Sequence, residues 1–348
     1  MKKFICIIIS TIFHLICLAQ NEFDNYGDPS REFGMQDSIP SRDSVPGSTI
    51  PHFRDTWKWK HNGVYSQTVP LDTLLDGIQN FNYIFKKSIS NTYLGNFPSP
   101  YEANIFINRN TVQDFYPLTY IRAFLFRPED VLYFNTTTPF TRLKYFTGGG
   151  KGKAENLLDV WHVQNIRPWW SAGIRYNLIS SDGRYANQKS KAYHFSLFST
   201  YEKDRIALTF FLNQNNGHFQ ENGGIKERGY VTDSTDQQAE NIPIWLNGNN
   251  SKNSYRNTNF NLQAQYHIGK AKPIVTDQDT SFLYPAKAVF TIRAEGNEHW
   301  YKEASVNYDF FPHTYIDSTE TYDHTQNKIL DFSARLVVNE HPKYTYLP

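Results

Sequence analysis

From about residue 138 onward, apolar and polar residues alternate one for one in runs of about nine to eleven, and this alternation restricts the fold more than any other property of the chain. Trp170, Ala172, Ile174, Tyr176 and Leu178 are interleaved with Ser171, Gly173, Arg175 and Asn177. Tyr193, Phe195, Leu197 and Tyr201 alternate with His194, Ser196 and Thr200, and Ile206, Leu208, Phe210 and Leu212 follow a tight Glu202–Arg205 turn. The pattern returns at Phe260–Ile268, Ala288–Ala294, Ala304–Phe310 and Leu330–Val338. A period of two puts each apolar set on one face of a strand. The opposite face carries Arg, Asn, Gln, His, Glu and Asp, which could not fill a second packed sheet layer. The length is what a tilted strand needs to cross a bilayer. The pattern therefore predicts an all-β, antiparallel transmembrane β-barrel, with a secreted β-sandwich, polar face outward, as the alternative.

The start of the chain is consistent with export. Lys2 and Lys3 precede an apolar stretch from Phe4 to Leu18 and a small-residue cleavage point at Ala19-Gln20, which reads as a signal peptide over residues 1–20. Both cysteines, Cys6 and Cys17, fall inside it, so the mature protein is expected to have no disulfide, thiol nucleophile or cysteine metal site. Losing Lys2 and Lys3 turns the formal charge from +1 to −1, which gives no reason to expect a nucleic-acid partner. Mean hydropathy is −0.58, and no apolar run of ~18 residues follows the leader, which excludes a helical membrane protein. Aromatic residues nevertheless make up 16% of the chain, as the interface girdles of a barrel require. Trp169, Trp170, Tyr201 and Phe310 stand where strand ends are expected and are assigned to those girdles.

Residues 21–56 are polar, interrupted by Pro29, Pro40, Pro46 and Pro51, and read as a flexible periplasmic tail or linker. The barrel region is expected over 57–348, with early strands near Ile78–Phe85 and Ala103–Asn108 and a long outer loop at 213–257. Within that loop Ile242-Pro243-Ile244-Trp245-Leu246 is too apolar for full solvation, marking a contact element. The loop either folds into the lumen or packs on the barrel rim. Counting the expected strands puts two long connections, 269–285 and 312–327, at the end that should hold only short turns.

The chemistry of known enzymes is not visible. Gly148-Gly149-Gly150-Lys151-Gly152-Lys153 lacks phosphate-loop spacing and lies between two strand patterns, so it reads as a mobile glycine hairpin, with Lys151 and Lys153 as anion-attracting charges at a pore mouth the alternative. No Gly-x-Ser-x-Gly, His-Glu-x-x-His or metal-ligand spacing occurs, so neither a catalytic set, a metal nor a cofactor is expected.

A family resemblance extends this reading. Arg127-Pro128-Glu129-Asp130-Val131-Leu132-Tyr133-Phe134-Asn135, then Thr138-Pro139-Phe140-Thr141, resembles a segment of the Bacteroidota putative porin family. Asn165–Trp169, Gly173–Gly183, Asn187-Gln188, Asp204-Arg205 and Gln220–Gly224 extend the similarity, which covers most of the chain after about residue 90. The resemblance implies an outer-membrane β-barrel. Against that pattern the chain stops at Thr345-Tyr346-Leu347-Pro348, and closing strands are expected to be missing. The expected role is diffusion of small hydrophilic solutes, with outer-membrane lipid around the wall. The pore lining would comprise Arg175, Asn177, His194, Asn261, Gln263, Gln265, His267, Arg293, Glu295 and Arg335. The competing readings are a barrel component of protein export or assembly, and the secreted sandwich as a binding module.

Overall fold

The structure is a computed structural model that describes residues 53–60, 65–69, 82–86, 88–109, 115–150, 153–232, 238–247, 250–276, 279–305, 307, 309–311 and 319–338. The expected signal peptide and most of the expected tail lie outside the described residues. Every described residue belongs to the second of two compact units, 50–348.

Eight strands form one antiparallel sheet in simple meander order. They are β6 (Phe140–Gly148), β7 (Glu155–Arg167), β8 (Trp170–Ser181), β9 (Ser190–Lys203), β10 (Ile206–Gln220), β11 (Ser251–Ile268), β14 (Ala286–Glu303) and β15 (Thr321–Val338). The register aligns the alternating sets on one continuous face: Ile174 lies opposite Leu197, Leu197 opposite Leu212, Leu212 opposite Phe260, Phe260 opposite Ala294, and Ala294 opposite Leu330. The sheet is open, because β6 and β15 pair with one neighbour each among the described residues. The all-β, antiparallel architecture is the expected one, and among the described residues no strand pairing closes the sheet into a barrel. Closure needs a strand for each edge, which hydrophobic alternation alone cannot supply.

Two inner-face glycines let aromatic rings lie flat across the sheet. Gly173 stands opposite Phe198 and Gly217 opposite Tyr255, and a Cβ at either would run into the facing ring. Cross-strand glycine–aromatic pairs of this kind pin register.

The remaining described elements are small. β1 (Phe53–Lys60) lies between β2 (Tyr65–Thr68) and β5 (Tyr133–Thr136), and β3 (Asn91–Tyr93) pairs with β4 (Tyr101–Ala103). β1 begins inside the stretch read as a tail, because pairing with β5 recruits residues whose own pattern is irregular. Of the early strands expected near Ile78–Phe85 and Ala103–Asn108, residues 78–81 lie outside the described residues, while Tyr83–Lys86 and Phe106–Asn108 are 3-10 turns and Ala103 ends β4. β12 (Lys272–Thr276) and β13 (Asp279–Leu283) form a hairpin within the connection 269–285.

The strand map changes the loop rule. β14 runs unbroken through Gly296–Glu298 to Glu303, and residues 304, 305 and 309–311 are turns and bends, with 307 irregular, rather than the strand expected at Ala304–Phe310. Removing that strand moves the next connection, 304–320, to the same end as 149–154, 182–189 and 221–250. The other end keeps two-residue turns at Pro168-Trp169 and Asp204-Arg205, with 269–285 the exception. Asp204 has φ 55°, the left-handed region that a tight hairpin demands. The long loop likewise shrinks from 213–257 to 221–250, because β10 extends to Gln220 and β11 starts at Ser251. Apart from Phe219 and Tyr255 on the inward face those extensions are polar, and with no apolar residue on the outward face hydrophobic period could not reveal them.

Candidate functional site

The burial of the sheet is inverted relative to a soluble protein. On β8 the polar set Ser171, Gly173, Asn177 and Ser181 is buried, while Trp170 and Tyr176 are exposed. Phe195, Leu208, Leu212, Phe290, Ile292 and Phe332 are exposed on the same outward face. A water-soluble sandwich would bury that face in a core. Among the described residues no helix is long and apolar enough to cross a membrane.

The inward face is covered by residues from the 82–136 segment. Two apolar clusters hold them there. Ile84, Phe97, Leu118, Ile121 and Phe124 pack with Leu157, Ile179 and Phe219 of the sheet, and Phe126, Val131, Tyr133 and Phe134 pack with Trp161, Val163, Phe198 and Phe211. Each such side chain withdrawn from water is worth ~1.5–3 kcal/mol. Apolar residues on the inner face of β7, β9 and β10 thus have a partner, and their presence spoils the strict alternation of β7.

Polar contacts give the docking its specificity. Phe126 donates its backbone N–H to Asn215 Oδ1 at 3.0 Å and accepts from Asn215 Nδ2 at 2.9 Å and Asn213 Nδ2 at 2.6 Å. The ladder continues across the sheet: Asn215 to Asn257 at 2.7 Å, then Asn257 to Asn297 at 2.6 Å and to Glu295 at 3.2 Å. Asn177 donates to Tyr83 Oη at 2.9 Å, and Asn96 donates to Ser190 Oγ at 2.9 Å.

Beside this ladder lies a cationic cluster. Asp159, its side chain 5% exposed, accepts from Arg175 Nε at 2.9 Å and Arg142 Nη2 at 3.2 Å. Both guanidiniums sit on Trp161, at 4.7 and 4.6 Å from the ring centre, and Arg175 also stacks on Phe126 at 4.5 Å. A cavity of ≈ 230 Å³ opens here, lined by Tyr83, Lys86, Arg122, Asp130, Arg175 and His194, among others. Burial, assisted by Arg175, lowers the Lys86 ammonium from the usual lysine range to about 8, and burial followed by Asp159 raises the Tyr83 phenol to about 12. Burial alone would raise the Glu129 carboxyl, but backbone hydrogen bonding and Arg122 hold it below its ordinary value.

All ten residues expected to line a pore lie on the inward face by register. They do not share one environment. Arg175, Asn177 and His194 are covered by the segment, with His194 stacked on Phe126 at 5.1 Å. Gln263 and Gln265 are buried, Gln265 accepting from Lys287 at 3.2 Å. His267 stacks on Tyr284 at 4.7 Å. Asn261, Arg293, Glu295 and Arg335 are partly exposed. Asp159, Trp161 and the Asn ladder were missed in sequence. The run Asn213-Gln214-Asn215-Asn216 resembled a loop by composition, and only its strand pairing gives it a face.

Among the expected interface aromatics, Trp169, Trp170 and Tyr201 cluster at the short-turn end: Trp170 lies opposite Tyr201, and Lys203 lies 4.8 Å over the Trp169 ring. Phe310 is a correction. It lies in a turn at the other end, 6.0 Å from the Trp245 ring and 4.4 Å from that of Phe311. The apolar element around Trp245 folds back on residues 222–226, through Trp245 N–H to Gly224 at 3.1 Å and Leu246 N–H to Asn222 at 2.9 Å. Lys153 pairs with Glu240 at 3.1 Å, while Lys151 lies outside the described residues.

An antiparallel sheet that bares its apolar side and covers its polar one belongs to the outer-membrane type of β protein, in which lipid replaces the hydrophobic core as the partner of the apolar face. A family model described as "Putative porin" matches residues 53–342, and the chain belongs to that family. Membership supports a porin-like outer-membrane protein. No curated protein and no solved structure matches the chain.

Proposed function

We propose that the chain walls an outer-membrane channel for small hydrophilic solutes, without catalysis, and that the 82–136 segment is an insert that sets its bore. The observation that carries this reading is the inward face itself: amides and guanidiniums in registered rows, partly covered by one internal segment that is held to the wall by two apolar clusters and oriented by hydrogen bonds. Such rows offer solutes replacement hydration, and the uncovered part, around Arg293, Glu295 and Arg335, leaves room for passage. A second reading is favoured by the same covering: a wall whose lumen is filled suits a component of protein export or assembly.

The two readings separate in a planar bilayer. Beyond residue 20 the sequence has no cysteine, so Asn96→Cys with Ser190→Cys introduces a lone pair where the native side chains touch at 2.9 Å. Discrete current steps are expected from the full chain, reduced in size when the pair is oxidised and restored by a reductant. Steps indifferent to oxidation would leave the channel but remove the insert's role. A folded, membrane-integrated protein that passes no current in either redox state would transfer the assignment to export or assembly.

A further inference from the structure

The outward face has a feature that solute passage does not use. Through the apolar stretch of every strand it carries no charged side chain, and then cations appear together at the long-loop end. Lys328 precedes Leu330 on β15, Arg256 precedes Phe260 on β11, and Lys191 precedes Tyr193 on β9, all exposed. Further along, Lys252 of β11 stands directly opposite Lys302 of β14, also exposed. Like charges placed directly across a strand pair destabilise it, so the fold gains nothing from this arrangement. Among the described strand residues on this part of the face the carboxylate is Glu298, which pairs with Arg256 at 3.3 Å. In the adjoining connection Asp182 pairs with Lys189 at 3.2 Å. Beside the lysine pair is a cavity of ≈ 520 Å³ whose lining includes Lys189, Lys191, His218, Lys252 and Ser254.

We infer that this cavity and its lysines bind the phosphate of a lipid headgroup in the leaflet on the long-loop side. The inference rests on the membrane-wall reading, because height along the wall selects the occupant. On β8 and β9 the apolar face runs on to Leu178 and Tyr193, so a lipid whose acyl chains lie against Tyr176, Phe195 and Leu178 brings its headgroup to the row of Lys191, His218 and Ser254. Free phosphate would gain the charge contacts but not the apolar ones. Trp300 and Tyr193, partly exposed on the same face, offer the amphipathic rings that sit at headgroup level.

The full chain in neutral detergent is titrated with diphosphoryl lipid A, with the same lipid after phosphate removal, and with inorganic phosphate, bound lipid being counted by native mass spectrometry. Binding of the phosphorylated lipid is expected, and Lys191→Gln with Lys252→Gln, both in the cavity lining, should weaken it about twenty-five-fold, at about fivefold per lysine. Lys270→Gln, at the short-turn end, serves as a control with unchanged affinity. Equal binding of both lipids, full affinity in a double variant whose circular dichroism is native, or displacement by inorganic phosphate at equal concentration would each overturn the inference. Failure of the membrane-wall reading is seen separately, as a chain that does not float with phosphatidylcholine vesicles.

Discussion

Phe126 shows at the smallest scale how the wall holds its insert. Its N–H and C=O are both satisfied by Asn215, as a neighbouring strand would satisfy them, and Asn213 adds a second donor to the carbonyl. An asparagine there does what a backbone cannot, since the segment crosses the inner face rather than pairing along it. Replacing Asn215 with alanine leaves a buried N–H without its acceptor, and buried unsatisfied groups cost ~1–3 kcal/mol. Asn215→Ala is therefore expected to lose about that much stability in urea titrations of vesicle-folded protein. A loss under ~0.5 kcal/mol would mean that Phe126 is held by its apolar contacts alone. At this scale the sequence was legible on one side only: Asn177 and His194 could be placed on the polar face by period, but nothing local shows that Tyr83 would meet the one and Phe126 the other.

The element whose behaviour matters most is the 82–136 segment. Lys86 is exposed toward the cavity but crowded: burial lowers its pKa to about 8, with Arg175, Lys144 and Arg142 adding repulsion and Asp159 opposing it. Its ammonium also lies 4.0 Å over the Tyr83 ring. In the undocked segment the same amine keeps its proton to about 10.5. Between those values the undocked state binds more protons, so docking strengthens as pH rises through that window; below about 8 both states are charged and the penalty is fully felt. Limited proteolysis within the segment is expected to slow as pH is raised from about 7 to about 9. Lys86→Met should remove that dependence, and an unchanged slope in the variant would assign it to another group. The segment's fold was poorly legible because its turns and short strands are stabilised by the wall rather than by their own periodicity. β14 was misread for a related reason. Past Ala294 its outward residues are Gly296, Glu298, Trp300 and Lys302, and a strand leaving the membrane loses the apolar half of its signature while keeping its ladder.

On the scale of the whole molecule the outward apolar band crosses the sheet obliquely. It reaches Leu178 on β8 and Tyr193 opposite, yet on β10, β11, β14 and β15 it stops at the row of Leu212, Phe260, Ala294 and Leu330, which aligns with Ile174. Hydrogen-bonded rows run perpendicular to the strands, so a band that climbs across rows means strands tilted to the membrane normal, as barrel walls require. Depth along one strand can then be tested on one face. Leu262→Arg, within the band, is expected to cost ~2–4 kcal/mol of folding free energy in vesicles, and Ser254→Arg, beyond it on the same strand, ~0–1 kcal/mol. Equal costs at the two positions would remove the membrane from that face. Among the described residues the outer edges of β6 and β15 have no strand partner, and because lipid cannot satisfy unpaired backbone groups, each edge has to meet further strands in a bilayer.

The sequence by itself determined the strands within the apolar band, the face each side chain takes, and the family, because a period of two is set by local backbone geometry and is imposed again in every strand. It also placed Trp169, Trp170 and Tyr201 together at the short-turn end. Only the tertiary structure decided which polar residues are covered, where β14 ends, and that Asp159 gathers Arg142 and Arg175. These depend on which segment meets the inward face and on ladders that continue where hydrophobicity no longer alternates, and neither is written in the order of residues along one strand.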